Sequence, residues 1–429
     1  MNTDSTFSTT GYSTTVAPST TGGPSSALMR RTIHQTLARL RHGRITVIEG
    51  ADRATYGSPA ADDLQATIHV LSPELYQAVA FGGILGSADS YMAGHWTCDD
   101  LTALIRILLR NEDALDRLGA LWRRLVMPFF GVLSDGFAPW LNANGRAASK
   151  RHISAHYDLG NDFYRLWLDE TMSYSCGIFT NESTTLHGAQ VAKLDRICRR
   201  LELSPADHLL EIGTGWGGLA LHAAQHYGCR VTTTTISREQ YRFAAQRIAD
   251  AGLSRQVTVL ECDYRDLRGQ YDKLVSVEML EAIGWRAYPR FFDICARMLK
   301  PHGRMLLQTI TIADRYYETA KRQTDFIKKY IFPGSCIPSV SAVQSAASRT
   351  DLTLRELVDI GPHYATTLAR WRERFHANVA AIRSLGMSES FIRKWHFYLC
   401  YCEAGFEEQT LGDIQALFSK PEDRPRLAP

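Results

Sequence analysis

"LLEIGTGWGG", residues 209–218, is an apolar run that closes on an acid and then breaks into four glycines within six residues. An apolar run of this length, bounded by turn formers, reads as a buried strand, and glycines directly after it let a ligand approach the backbone closely. The flanking sequence keeps a regular rhythm. "GGLALHAAQHYG" (217–228) predicts a helix, "CRVTTTTI" (229–236) a strand, "SREQYRFAAQRIADAG" (237–252) a helix and "QVTVLECD" (256–263) a strand. Further on, "YDKLVSVEML" (271–280) predicts a strand, "YPRFFDICARMLKPHG" (288–303) a helix and "RMLLQTITI" (304–312) a strand. Such alternation makes an α/β fold with a doubly wound sheet. Ligands of these sheets sit outside the carboxyl ends of the strands, which directs attention to the loop at 213–218.

Gly213, Gly215 and Gly218 satisfy the pattern GxGxxG, which by itself serves several nucleotide ligands. Two details argue against a nicotinamide dinucleotide. Its ribose needs an acid at the end of the second strand, and that strand ends here in Thr232, Thr233, Thr234 and Thr235. Glu211 also stands two residues before the first glycine, where S-adenosylmethionine, with its ammonium and sulfonium groups, has use for a negative charge. The glycines would then admit the amino-acid tail of that ligand.

The rest of the chain sets the context. With 429 residues, 45% hydrophobic and 22% charged, it is long enough for a large domain and a smaller one. A net charge of +3 is too small for a general polyanion binder, so no nucleic acid is expected. Nine cysteines without a CxxC pair suggest reduced thiols, and no metal site is expected. Neither a signal peptide nor a spanning helix is apparent, so contact with a membrane would be peripheral. Residues 1–27 are rich in Ser, Thr, Gly and Pro and read as a disordered tail. From Leu28, with Ile33, Leu37 and Leu40 on one face and Arg30, Arg31, Arg39, Arg41 and Arg44 around it, a basic amphipathic helix is expected, either packed on its own domain or docked on anionic lipid. "RITVIEG" and "LQATIHVL" predict strands and the stretches 73–83 and 99–118 helices, giving a small mixed α/β domain over 28–135. Residues 136–150 read as a linker and 151–429 as the catalytic domain.

Several separated motifs carry a specific resemblance from about Tyr56 to Lys420: "YMAGHW" (91–96), "HYDLGNDFYRLWLDETMSYSCGIF" (156–179), "LLEIGTGWGGLA" (209–220), "TISREQ" (235–240), "SVEMLEAIG" (276–284), "DFIKKYIFPGSCIPS" (325–339) and "HYATTLARWRERF" (363–375). Taken together they resemble the cyclopropane-fatty-acyl-phospholipid synthase family of S-adenosylmethionine-dependent enzymes, with its related mycolic-acid and fatty-acid C-methyltransferases. The resemblance implies a class I methyltransferase sheet and a smaller N-terminal lipid-binding domain. It assigns Tyr174 and Ser175 to the methionine end of the cofactor, Gly213 and Gly215 to its loop, Thr235 and Gln240 to the ribose region, and Asp263 with Tyr264 to the adenine end. A threonine ending the second strand is normal in that family.

The implied reaction is transfer of a one-carbon unit to the double bond of an unsaturated phospholipid acyl chain, giving a cyclopropane. An alkene is a poor nucleophile, so the site must be apolar and must align the reactants. A carbocation follows, which Glu281 is placed to stabilise, and a base must take a proton from the new methyl group. In relatives that base looks to be a bicarbonate, and by resemblance its holders are Cys176, Glu281, Tyr364 and the backbone of Ile310. The family histidine is missing: Gln308-Thr309-Ile310 stands where many relatives have His-Thr-Ile, and Glu281-Ala282 where many have Glu-His. Glutamine bonds an anion but does not titrate near neutrality. Bicarbonate held partly by Gln308 is therefore expected, His363 is a candidate substitute base, and a methylene- or methyl-branched product is the alternative outcome. His156 also matches a family position. Glu278 reads as a residue that caps or orients its loop, and Cys176 as a ligand or packing residue rather than a nucleophile. The implied partners are a phospholipid bilayer surface and unsaturated acyl chains, allowing a homodimer, with the enzyme cytoplasmic and peripheral at the inner face of the membrane.

Overall fold

The computed structural model describes residues 24–58, 64–112 and 159–423. The expected linker at 136–150 and His156 lie outside these residues. Seven strands build the main sheet: β5 (His208–Ile212), β6 (Arg230–Thr235), β7 (Val257–Glu261), β8 (Tyr271–Val277), β9 (Leu299–Ile312), β10 (Thr353–Asp359) and β11 (Leu411–Ser419). Their order is β10-β11-β9-β8-β5-β6-β7. Strands β5 to β9 pair in parallel, while β11 runs antiparallel to both β9 and β10. The sheet reverses direction of progress between β5 and β8, and a doubly wound sheet opens its ligand crevice at that switch point. The loop at 213–218 leaves β5 there.

Local sequence accounts for each element. The threonine run of β6 is buried, so its hydroxyls need partners: Thr233 Oγ1 donates to Thr214 Oγ1 at 2.7 Å, and Thr234 Oγ1 to Cys262 O at 2.6 Å. Helix α6 (Gly218–Tyr227) follows β5, and α7 (Arg238–Asp250) follows β6 with Ser237 capping its first turn. Helix α8 (Tyr288–Met298) ends earlier than periodicity suggests. Residues 299–303, expected to be helical, already belong to β9, because Pro301 cannot donate a helical hydrogen bond and Gly303 destabilises a helix. Strands β10 and β11 have no counterpart in the sequence reading. Exposure alternates along the edge strand β10, but its half-buried face carries Glu356 and its exposed face Leu357, so "TLRELVD" (353–359) shows no clean hydrophobic alternation.

The N-terminal unit is a second, four-stranded sheet. Strands β1 (Gly43–Glu49), β2 (Asp52–Ser58), β3 (Gln65–Val70) and β4 (Trp96–Cys98) lie in the order β2-β1-β3-β4, with β1 and β3 parallel. Strand β2 is invisible to hydrophobic patterning because "DRATYGS" (52–58) is polar and mostly exposed. Helix α1 (Pro24–Leu37) begins inside the expected tail, so residues 24–27 are helical. Leu37 and Leu40 are buried while Leu28 is exposed, and Arg30 pairs with Glu49 at 2.8 Å and Asp52 at 3.0 Å. That much of the basic face is spent on its own domain. Helix α2 (Glu74–Ala93) is longer than expected and kinks at Gly83, whose φ of 54° only glycine adopts freely. Helix α3 (Leu101–Arg110) is closed by Asn111, whose amide bonds Arg41, His42 and Ile107.

A helical layer joins the two units. Helices α4 (Asn161–Arg165) and α5 (Leu186–Arg200) precede the main sheet, and α9 (Asp314–Ala320), α10 (Val340–Ala347), α11 (Gly361–Ala377), α12 (Val379–Ser384) and α13 (Glu389–Glu407) follow β9. Helices α2 and α3 pack on α13, and one buried cluster runs from Ile45 and Trp96 through Phe163 and Trp371 to Phe406. Tyr91 of "YMAGHW" bonds His396 Nδ1 at 2.7 Å, and Glu408 accepts from Arg106 at 2.7 Å and Arg110 at 2.8 Å. The buried core of the N-terminal unit is thus continuous with that of the helical layer. Phe163 is its node, fully buried and edge-on to Trp167, Phe375, Phe391 and Trp395. Phe163→Ala should cost about 3–5 kcal/mol, read as a lower urea midpoint. A loss below about 1 kcal/mol, a small fraction of that range, would show that the cluster does not hold the helices together.

Candidate active site

A cavity of about 420 Å³ opens at the carboxyl ends of β5, β6, β8 and β9, within the range of small-molecule sites. All nine residues expected around a cofactor line it: Tyr174, Ser175, Glu211, Gly213, Gly215, Thr235, Gln240, Asp263 and Tyr264. Gly213 and Gly215 have φ of 106° and 51°, the left-handed region that favours glycine. The Gly213 and Thr214 amides both donate to Thr234 O at 3.0 Å, which folds the loop onto β6. Thr235 Oγ1 donates to Gln240 Oε1 at 2.9 Å, bringing those two together. Asp263 is held by Arg265, through its backbone N at 2.9 Å and its Nε at 2.8 Å. Glu211 Oε2 is buried without a hydrogen-bond partner, and burial pushes its carboxyl up to about 8. An ammonium or sulfonium ligand fits that orphaned acid, and the glycine loop fits an amino-acid tail.

At the other side of the cavity stand two glutamates. Glu281 Oε1 accepts from Thr309 Oγ1 at 2.8 Å and from the Ile310 amide at 2.5 Å, while its Oε2 is buried and unpartnered. Burial, reinforced by repulsion from Glu278, raises this carboxyl to about 8. Glu278 follows β8 directly, with a φ of 47° that is rare for any residue but glycine. Its Oε1 accepts from the Cys176 amide and from Gln308 Nε2, both at 2.9 Å, and its Oε2 accepts from Tyr364 OH at 2.7 Å. Burial raises its carboxyl too. Tyr174 OH and Tyr398 OH share a hydrogen bond of 2.7 Å beside it.

Of the expected catalytic and anion-binding residues, Glu281, Tyr364 and Ile310 line the cavity, whereas Cys176, Gln308 and His363 do not. Cys176 is fully buried, its Sγ 3.2 Å from Gly177 O, and burial together with the charges of Asp413 and Glu278 drives its thiol up, so it stays protonated. Gln308 is fully buried in β9, its Nε2 donating to Glu278 and to Asp413 at 3.1 Å and its Oε1 accepting from Gln415 at 3.0 Å. No amide hydrogen of Gln308 is left for an anion. His363 is half-buried, and burial and the Arg196 charge lower its basicity. The carboxylate among these donors is Glu278, which the sequence reading placed only as an orienting residue. The donors themselves were legible in the sequence. Asp169, Glu170 and His187 have the spacing of a metal cluster, but none of them lines the cavity.

A sheet of this order, with a glycine loop at its switch point and an unpaired acid facing that loop, defines an S-adenosylmethionine-dependent methyltransferase. Residues 145–416 match the family model described as "Mycolic acid cyclopropane synthetase", and the chain belongs to that family. It is similar to the tuberculostearic acid methyltransferase UfaA1 of Mycobacterium tuberculosis, 38% identical over 365 residues that cover 83% of this chain and 84% of that protein. It is 36% identical over 379 residues to the cyclopropane-fatty-acyl-phospholipid synthase of Escherichia coli (strain K12), covering 87% of this chain and 92% of that one. The solved structure of mycolic acid cyclopropane synthase CmaA1 complexed with SAH and CTAB superimposes with a TM-score of 0.60 at 34% identity, over 63% of this chain and 98% of that chain.

Burial of Glu281 has a sign that stability measurements detect. A carboxyl raised to about 8 in the folded chain binds more protons than its unfolded counterpart between the ordinary carboxyl range and pH 8, so stability falls as pH rises through that window. Glu281→Gln removes this contribution. Relative to wild type the variant should gain at least about 1 kcal/mol between pH 5 and 8, since each tenfold difference in proton affinity between the folded and unfolded chain is worth about 1.4 kcal/mol. A difference that does not change with pH would place the Glu281 carboxyl in its ordinary range.

Proposed function

We propose that the enzyme methylates a double bond in an unsaturated phospholipid acyl chain and releases a methylene-branched chain in preference to a cyclopropane. The observation that carries the choice of product is the position of the Glu278 carboxylate. The resemblance implies an anion bonded by Cys176, Glu281, Tyr364 and the Ile310 backbone, with Gln308 expected to help in place of the family histidine. Here the Cys176 amide, Gln308 and Tyr364 are spent on Glu278, and the Ile310 amide on Glu281. An ionised Glu278 also repels a second anion. Bicarbonate therefore has no role in this proposal.

Bound at the glycine loop, S-adenosylmethionine supplies an electrophilic methyl group. The wall formed by Ile310, Ile312, Phe332, Ile337, Phe406 and Leu411 is apolar, which suits an acyl chain and excludes water. Leu109 of α3 reaches the same wall, giving the N-terminal unit a share in substrate binding. No helix among the described residues is long and apolar enough to cross a membrane, so the chain would be met at the bilayer surface. When the alkene π pair bonds the methyl carbon, positive charge develops on the neighbouring carbon. The rings of Tyr174, Tyr364, Tyr398 and Tyr401 and the unpartnered Glu281 Oε2 line the cavity where such a charge is stabilised. A cation beside Glu281 favours its ionised, proton-accepting form.

Ring closure requires the methyl proton to leave while the charge is still on the neighbouring carbon. With no second anion to take that proton at once, a hydride shift from the methylated carbon moves the charge onto that carbon first, and loss of a methyl proton to Glu281 then leaves a methylene branch. The cyclopropane is the second reading, favoured by the similarity to the Escherichia coli synthase. The two products have the same mass, and mild catalytic hydrogenation followed by mass spectrometry separates them. We expect the product to take up two hydrogens and its rate of formation to be the same in degassed and bicarbonate-supplemented buffer. A hydrogenation-resistant product whose formation depends on bicarbonate would reverse the order of the two readings.

A further inference from the structure

Lys193 has no part in the chemistry above, yet it lies at the cofactor end of the cavity. It is on α5, 2% exposed, and lines the cavity beside Ser175 and Glu211. A fully buried lysine is rare unless something pairs with it. Its Nζ donates to Ser175 Oγ at 2.8 Å, which uses one of three ammonium hydrogens and leaves the serine hydroxyl hydrogen free to donate elsewhere. Burial lowers its basicity, and Glu278 is the acid that acts on it most strongly. Glu278 nevertheless gives its hydrogen bonds to Cys176, Gln308 and Tyr364. Glu211 keeps an unpartnered oxygen, and the lysine points to Ser175 instead of to it.

The cavity thus holds a buried acid and a buried base that are not joined to each other. Both are costly in isolation, and one ligand carrying both opposite charges completes the pair. We infer that Lys193 and Glu211 form a clamp for the zwitterionic amino-acid end of S-adenosylmethionine, with Glu211 taking its ammonium and Lys193, together with Ser175 Oγ, taking its carboxylate. This rests on the reading of S-adenosylmethionine as the methyl donor. It makes Lys193 a binding residue whose contribution depends on the ligand carboxylate alone.

Calorimetry with the full chain tests this using S-adenosylhomocysteine, its decarboxylated analogue, which keeps the ammonium, and methylthioadenosine, which lacks both groups. Loss of the carboxylate should weaken binding to wild type by about 10- to 100-fold, the worth of a charge-assisted hydrogen bond. Lys193→Met should weaken S-adenosylhomocysteine by a similar factor and bind the decarboxylated analogue and methylthioadenosine as wild type does. Equal affinity of wild type for S-adenosylhomocysteine and its decarboxylated analogue overturns the clamp without any variant. Equal weakening of all three ligands by Lys193→Met also overturns it, by showing a merely structural role. Failure of wild type to bind any adenosyl ligand would instead overturn the reading of the methyl donor.

Discussion

A carboxylate withdrawn from water needs hydrogen-bond donors, and Glu278 takes three: the Cys176 amide, the Gln308 side chain and the Tyr364 hydroxyl. Those groups come from the loop before α5, from β9 and from α11, so a single side chain ties the helical layer to the sheet at the edge of the cavity. The strained φ of Glu278 is retained because the surrounding network determines its position. Asp413 behind Gln308, and Lys193 within the same field, extend the network into β11 and α5. Chemistry in front of this network inherits its charge.

The cavity is divided accordingly. Towards the glycine loop it presents the opposite charges of Glu211 and Lys193, which suit a small polar cosubstrate. Towards β9 and α13 it presents isoleucines and aromatic rings, which suit an alkyl chain. Glu281 stands where the two halves meet, anchored by one oxygen to Thr309 and Ile310 and with the other unpaired. A charge that appears only during reaction is best met by a group already fixed in place, because no reorganisation is then required.

The central part of this architecture was legible in the sequence because strands and helices with one buried face write their periodicity into the chain. The run from Leu209 to Ile312 and the glycine loop belong to that part, whereas Tyr174, Ser175, Thr235, Gln240, Asp263 and Tyr264, which also line the cavity, were named through the family resemblance. Strand β2 escaped because its polar residues carry no pattern, and β10 because Glu356 lies on its half-buried face and Leu357 on its exposed one. The family resemblance named Cys176 and Tyr364 together with Glu281, and Gln308 stands at the family's histidine position, but spacing along a chain does not reveal which side chain fills the space between Cys176, Gln308 and Tyr364. Glu278 fills it, three residues before Glu281 in "SVEMLEAIG". Lys193 carries no such signal, because a lysine on a helix ordinarily signifies a solvated face.

The carboxylate among those three donors decides whether a separate anion can bind, and the most direct measurement is a crystal structure of the enzyme with S-adenosylhomocysteine, grown in bicarbonate. Glu278 is expected to keep its bonds to the Cys176 amide, Gln308 and Tyr364, with no separate anion among them. Glu278 turned away, and a planar anion bonded to Cys176, Tyr364 and the Ile310 amide, would contradict it.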